Sequence, residues 1–258
     1  MKTAHLDKQQ LMSNAQQQMD RLVNEGQFND RQKLALTCRI LYEHGHDAGL
    51  AGQVTARTES GNTFITQQFG LGFDEITAAN LLEVNQDLEP IDQQAMPNPA
   101  NRFHTWIYHQ HPEVNCIIHT HPTHVAALSM LKVPLIVAQM DTCSLFDDCA
   151  FLSDWPGVPV GNEEGIIISN ALGKKRAVLL AHHGQLVVGK TIEEACNLAL
   201  MIERAARLQL LAMAAGQIQP LPTELAKEAH DWLTTDRRSK VNFAYYARKI
   251  LKSHPESI

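Results

Sequence analysis

No stretch of this chain approaches the roughly 20 consecutive apolar residues that a helix needs to cross a bilayer, so no membrane partner is expected. The polar, Gln-rich stretch from Gln9 to Gln18 lacks the apolar core of a secretory signal, and a cytoplasmic location is the expectation. Basic charge is scarce too: 22 Lys and Arg stand against 28 Asp and Glu, for a net charge of -6. Only Lys174-Lys175-Arg176 and Arg237-Arg238-Ser239-Lys240 are locally basic, and each reads as a solvated helix end or strand entrance. Without a basic stripe, no nucleic-acid partner is expected. The five cysteines, Cys38, Cys116, Cys143, Cys149 and Cys196, have no paired metal spacing and sit mostly in apolar runs, as reduced buried thiols do. Internal repeats and low-complexity linkers are also absent.

What remains is a chain of 258 residues, 44% of them hydrophobic, enough for one substantial core. Leu11, Met12, Ala15, Met19 and Leu22 recur at helical spacing in a first helix that ends near Gly26. Asn29 or Asp30 can cap the next, which carries Leu34, Leu36, Cys38, Ile40 and Leu41 up to Gly45. The pattern then shortens to β-type runs over 52–57 and 63–66, joined by Glu59-Ser60-Gly61-Asn62 as a hairpin. Asn98-Pro99 signals a helix over 99–111. The stretch 134–160 reads as loop with strand-like pieces at 135–138 and 157–160, and Glu163-Glu164 and Asp141 read as solvated loop carboxylates. Thr191 with Glu194 forms a capping-box pattern that opens a long helix stopping at Gly216. Weaker helices follow, one starting near Thr223 and one over 241–251. Strands enclosed by helices predict an α/β fold.

The run His119-Thr120-His121 ends the apolar stretch Val114-Asn115-Cys116-Ile117-Ile118. Side chains two apart on a strand leave the same face, so both imidazoles can reach one cation. A second apolar stretch, 177–181, ends in His182-His183-Gly184, where either histidine could be a third ligand and Gly184 removes bulk beside the metal. Three histidines with an open position make a catalytic metal arrangement. Imidazole suits zinc, iron, cobalt and manganese, with zinc as the default. His124 is a weaker candidate, and His109 and His111 read as ordinary solvent-facing residues.

In order and spacing, several motifs together resemble the class II aldolase and adducin superfamily, which includes fuculose-phosphate aldolase, ribulose-phosphate epimerase and the adducin head. They are Gly52-Gln53-Val54-Thr55-Ala56-Arg57, the run 69–77, Arg102-Phe103-His104, Tyr108 with Pro112, His119-Thr120-His121, and His183-Gly184. The resemblance implies a three-layer αβα domain over 31–216 with a largely antiparallel central sheet flanked by helices. An N-terminal helical segment would occupy 1–30 and a C-terminal helical extension 217–258. It also implies a homotetramer, and His119, His121 and His183 as ligands of a divalent metal that stabilises an enediolate. The sugar-phosphate aldolases carry Ser-Ser-Glu where this chain has Asn98-Pro99-Ala100, and Ala100 cannot move a proton. Their Gly-Asn phosphate motif is Gly52-Gln53 here, and their Thr-Gly is the longer Gln67-Gln68-Phe69-Gly70. These departures resemble the adducin-like branch and argue for a small non-phosphorylated oxo-acid or hydroxy-carbonyl substrate, bound by Gln53, Gln68 and Asn98. Arg102, His104 and Tyr108 are the candidates for catalytic roles. The expected activity is that of a metal-dependent lyase, by aldol cleavage or decarboxylation. The alternative is a non-catalytic adducin-like assembly module that retains its metal. Metal-assisted hydrolysis would need a base that the sequence does not identify.

Overall fold

The computed structural model describes residues 3–23, 28–91 and 94–258. Helix α1 (Lys8–Met19) starts at a reciprocal Asp7–Gln10 cap and continues as a 3-10 turn to Leu22; its expected end near Gly26 lies outside the described residues. Helix α2 (Asp30–Glu43) is capped by Asn29 and Gln32 in the same reciprocal way. The hairpin follows as β1 (Gln53–Arg57) and β2 (Phe64–Thr66), then β3 (Leu82–Val84). Asn98 Oδ1 accepts from the Ala100 N–H, and a 3-10 turn leads into α3 (Arg102–Gln110). Strand β4 (Cys116–Thr120) and helix α4 (Thr123–Met130) come next.

The sequence reading of 134–160 and of Glu163-Glu164 needs correction. Neither 135–138 nor 157–160 forms a strand; the strand here is β5 (Cys149–Leu152), which pairs with β6 (Ala177–Leu180). Glu163 and Glu164 are helical, in the first turn of α5 (Asn162–Leu172), where acidic side chains suit the positive end of the helix dipole. Gly165 obscures that helix in the sequence and is required by packing, since a Cβ there would fall 2.6 Å from Trp106 Cδ1 of α3.

Strand β7 (Gln185–Gly189) returns beside β4, and α6 (Ile192–Ala215) runs to Gly216. Thr191 Oγ1 accepts from the Glu194 N–H at 3.1 Å, but Glu194 does not complete the box. Its carboxylate accepts from Lys190 N (2.7 Å) and pairs with Arg176 (2.8 Å). Helices α7 (Thr223–Leu233) and α8 (Asp236–Ser253) follow, α8 beginning five residues earlier than its apolar pattern suggests.

The seven strands form one sheet in the order β3-β2-β1-β4-β7-β6-β5, antiparallel except for β5 with β6. Alternation divides the core. Val54, Ala56, Cys116, Ile118 and Val187 face α2, α6 and α8, while Phe64, Ile117, Leu186 and Val188 face α3 and α5. The result is helix on sheet on helix, with β1, β4 and β7 at its centre. Among the described residues no helix is long and apolar enough to cross a membrane.

Candidate metal centre

The central strand β4 delivers His119 and His121 to the α3 face, while Thr120 between them points to the α6 face. Their Nε2 atoms are 2.9 Å apart. His183 arrives from the turn between β6 and β7, its ring centroid 4.7 Å from each of the other two. One ligand nitrogen from each imidazole lies within 4.8 Å of the other two. The choice between His182 and His183 is geometric: His182 adopts a left-handed φ of +55° and is exposed, which turns His183 inward. Gly184 makes room, because a Cβ there would meet His121 Cδ2 at 2.4 Å and the Thr120 carbonyl at 2.6 Å.

His119 is fixed by its other nitrogen. Its Nδ1 lies 2.8 Å from the Gln185 carbonyl, which can only accept, so Nδ1 carries the proton and Nε2 presents a lone pair. The Phe103 ring stands edge-on to it at 5.1 Å. Burial holds His119 well below the ordinary histidine range, with His183, His121 and His104 adding to the effect. Burial also lowers His121, and burial with His121 pushes His183 down to about 4. All three imidazoles are therefore uncharged at neutral pH, the form in which they can act as ligands. The donor set, the fixed tautomer and the gap at Gly184 fit a divalent cation.

The other candidate residues separate into distinct places. Gln53 is buried and aligned with His119 across β1 and β4, and its Oε1 has no partner among the described residues. Gln68 and Asn98 line one recess with Gly52 and Phe69; there the Gln68 amide donates to the Asn80 carbonyl at 2.7 Å. His104 and Tyr108 are buried under α3, and both meet the Thr55 hydroxyl at 2.9 Å. Arg102 turns toward α5, where Asn162 Oδ1 accepts from its Nε (3.0 Å) and from Trp106 Nε1 (3.1 Å). His124 meets Glu203 of α6 at 2.5 Å, outside the three-imidazole group.

Three contributors escaped the sequence reading. Thr55 lies two residues from Gln53, so strand alternation could have placed it on the same face. Gln185 and His46 had no such signal. On the α6 face the Gln185 side chain donates to Thr120 Oγ1 (3.0 Å), and His46 Nδ1 meets the same oxygen at 3.0 Å.

Comparison with known proteins shows the family. A 4-hydroxy-3-prenylphenylpyruvate oxygenase/4-hydroxy-3-prenylbenzoate synthase from Streptomyces roseochromogenus subsp. oscitans is 32% identical over 69% of this chain and 66% of its own length. A decarboxylase from Streptomyces niveus is 31% identical over 69% and 67%. The chain thus spans about two thirds of the length of these relatives. Among solved structures, an L-fuculose 1-phosphate aldolase from Glaciozyma antarctica superposes with a TM-score of 0.81 at 31% identity, over 88% of this chain and 90% of that one. The family model described as class II aldolase and adducin N-terminal domain matches residues 32–210, and the protein belongs to that family.

Proposed function

We propose that the protein is a metal-dependent carbon–carbon lyase acting on a small, non-phosphorylated oxo-acid or hydroxy-carbonyl compound, by aldol cleavage or decarboxylation. The observation that carries the reading is the convergence of three uncharged imidazoles, joined by no fourth His, Cys, Asp or Glu among the described residues. Structural zinc sites are closed by four protein ligands, whereas three leave a position for substrate. His119, His121 and His183 would hold the cation, zinc in the first instance, with manganese, iron or cobalt as chemically suitable occupants. When bound, such a cation supplies Lewis-acid polarisation of a substrate carbonyl and of the charge that develops on it.

The chain's own residues do the rest. The Gln185 carbonyl holds His119 in its ligand tautomer. Gln53 stands beside His119 with a free amide oxygen for substrate, and Gln68 and Asn98 wall the recess whose Gly52 lies against the His119 carbonyl. Gln53, Gln68 and Asn98-Pro99-Ala100 stand where the resemblance has the neutral phosphate-binding groups, and among the described residues no cationic side chain lines the recess to take their place, which supports a substrate without phosphate. Ala100, at the family's acid/base position, leaves proton transfer to another group, for which His104 and Tyr108 are the candidates, while Arg102, always protonated, is the candidate for pairing with a substrate carboxylate. The names of the two Streptomyces relatives, a phenylpyruvate oxygenase and a decarboxylase, support oxo-acid chemistry over sugar-phosphate cleavage.

The reading includes a cytoplasmic homotetramer. Five free cysteines support the location. Exposed apolar side chains such as Met130 (70%) and Val158 (64%) support assembly, and sedimentation analysis tests it. For the activity, purified protein is assayed for bound metal and for deuterium exchange at the α-carbon of pyruvate and small oxo-acids. Metal-dependent exchange that disappears in His119→Ala is the expected result. Exchange that survives loss of the metal overturns it. A folded, assembled protein inert toward every carbonyl compound would instead favour the adducin-like assembly module.

A further inference from the structure

Under α3, a short hydrogen-bond chain favours one arrangement of protons. Tyr108 Oη lies 3.0 Å from the Thr55 carbonyl, which can only accept, so the tyrosine proton is committed there. The 2.9 Å contact between Tyr108 Oη and Thr55 Oγ1 must then use the threonine proton. Thr55 Oγ1 also lies 2.9 Å from His104 Nδ1, and with its own proton committed it can only accept. His104 therefore carries its proton on Nδ1 and leaves a bare lone pair at Nε2. That atom is buried and has no partner among the described residues. Burial pushes His104 down to about 3, so the imidazole stays uncharged.

One helical turn earlier, Asn101 repeats the pattern. Gln67 Nε2 donates to the Gly52 carbonyl, which fixes its Oε1 as an acceptor. Thr66 Oγ1 has its single proton committed to the Val54 carbonyl (2.9 Å) or to that Gln67 Oε1 (3.2 Å). With that proton committed it accepts from Asn101 at 3.1 Å, which orients the amide with Nδ2 toward Thr66 and leaves Oδ1 buried and without a partner among the described residues. Positions 101 and 104 share a helix face. Both residues bond side chains on the sheet face that bears His119, since Thr55 aligns with Ile117 and Gln53 with His119. The Phe103 ring stands edge-on to both His104 (4.5 Å between centroids) and His119 (5.1 Å). Two desolvated acceptors without a donor are costly unless a ligand supplies one.

We propose that His104 Nε2 is a specificity determinant that accepts a hydrogen bond from a free hydroxyl on the substrate whose carbonyl reaches the three-histidine site, with Asn101 Oδ1 as a second bare acceptor on the same helix face. The substrate class narrows to hydroxy-ketones, hydroxy-aldehydes or hydroxylated oxo-acids, because two bare lone pairs repel a phosphate or a second carboxylate. This inference rests on the proposed metal site.

Nitrogen NMR of the metal-free protein, with labelled histidine, reads the tautomer directly; His104 is expected to show an unprotonated Nε2, and Tyr108→Phe to release that preference. The zinc-loaded protein is then titrated calorimetrically with glycolohydroxamate and acetohydroxamate, two chelators that differ by one hydroxyl. A preference of about tenfold for glycolohydroxamate is expected, the worth of one satisfied hydrogen bond. His104→Asn keeps a nitrogen that donates to Thr55 but removes Nε2. It should bind both chelators alike with unchanged zinc content. A protonated Nε2 in the wild type, or a preference that persists in His104→Asn, overturns the inference and leaves the metal site standing. Failure of both chelators to bind overturns the metal site and the inference together.

Discussion

Gly184 shows how closely single atoms are set around the three imidazoles. One of the three contacts a Cβ would meet there is the Thr120 carbonyl, backbone that cannot rotate away. Gly184→Ala should therefore destabilise the fold by about 1–3 kcal/mol and weaken metal binding about 10- to 100-fold, measured by thermal melts and metal titration. Wild-type metal affinity in this variant would show that the gap is not needed. His119 and His121 are legible in the sequence because two-residue alternation fixes their direction. The choice of His183 over His182 is legible only through the family resemblance, since it depends on a left-handed φ in a turn. Buried histidines also set the pH response. Burial lowers His46, with help from His44, and lowers His104, each from the usual 6.5 to about 3. Between those values the unfolded chain takes up protons that the folded chain refuses, so stability falls as pH drops from 6.5 toward 3. Each group contributes a slope of at most about 1.4 kcal/mol per pH unit. Denaturant midpoints across that window check this, and a midpoint that holds steady down to pH 4 would contradict it.

Helix α4 has Pro122, one residue after His121, at its N-cap and no side-chain cap of its own. Glu203 reaches over from α6 instead. Its two oxygens accept from the N–H groups of His124 (3.1 Å) and Val125 (2.9 Å). A carboxylate at a helix N-terminus satisfies unpaired donors and complements the dipole. Glu203→Ala should cost about 1–2 kcal/mol and lower metal affinity, with Glu203→Gln falling between, as read from melts and titration. If Glu203→Ala left both unchanged, α4 would need no such anchor. No local pattern announces this cap, because its halves are far apart in sequence. The elements the sequence predicts well, α2, the β1–β2 hairpin and α6, carry their own caps or turn residues. Strand β5 and helix α5 carry weaker local signals: the strand is held by pairing with β6, and the helix shelters Trp106 over a glycine.

The sheet order places β4 between β1 and β7, and the largely antiparallel topology was legible only through the family resemblance. Short apolar runs specify strands but not their neighbours. A cation held jointly by β4 and the β6–β7 turn would bind the folded chain alone. At about a thousand times its dissociation constant it should add roughly 4 kcal/mol of stability. Chelation is then expected to lower the melting temperature by roughly 10 °C, visible by calorimetry. An unchanged melting temperature after complete metal removal would argue against the three-histidine site. The strand and the turn differ in how they can open. His119 lies inside a ladder bonded on both sides, whereas His183 lies outside any strand, on a turn closed by the bond from its N–H to the Leu180 carbonyl. Isotopic metal exchange should therefore proceed through the swing of one hairpin turn, with two ligands still engaged, and run faster than the amide exchange of β4. The site would be slow to dismantle and quick to refill.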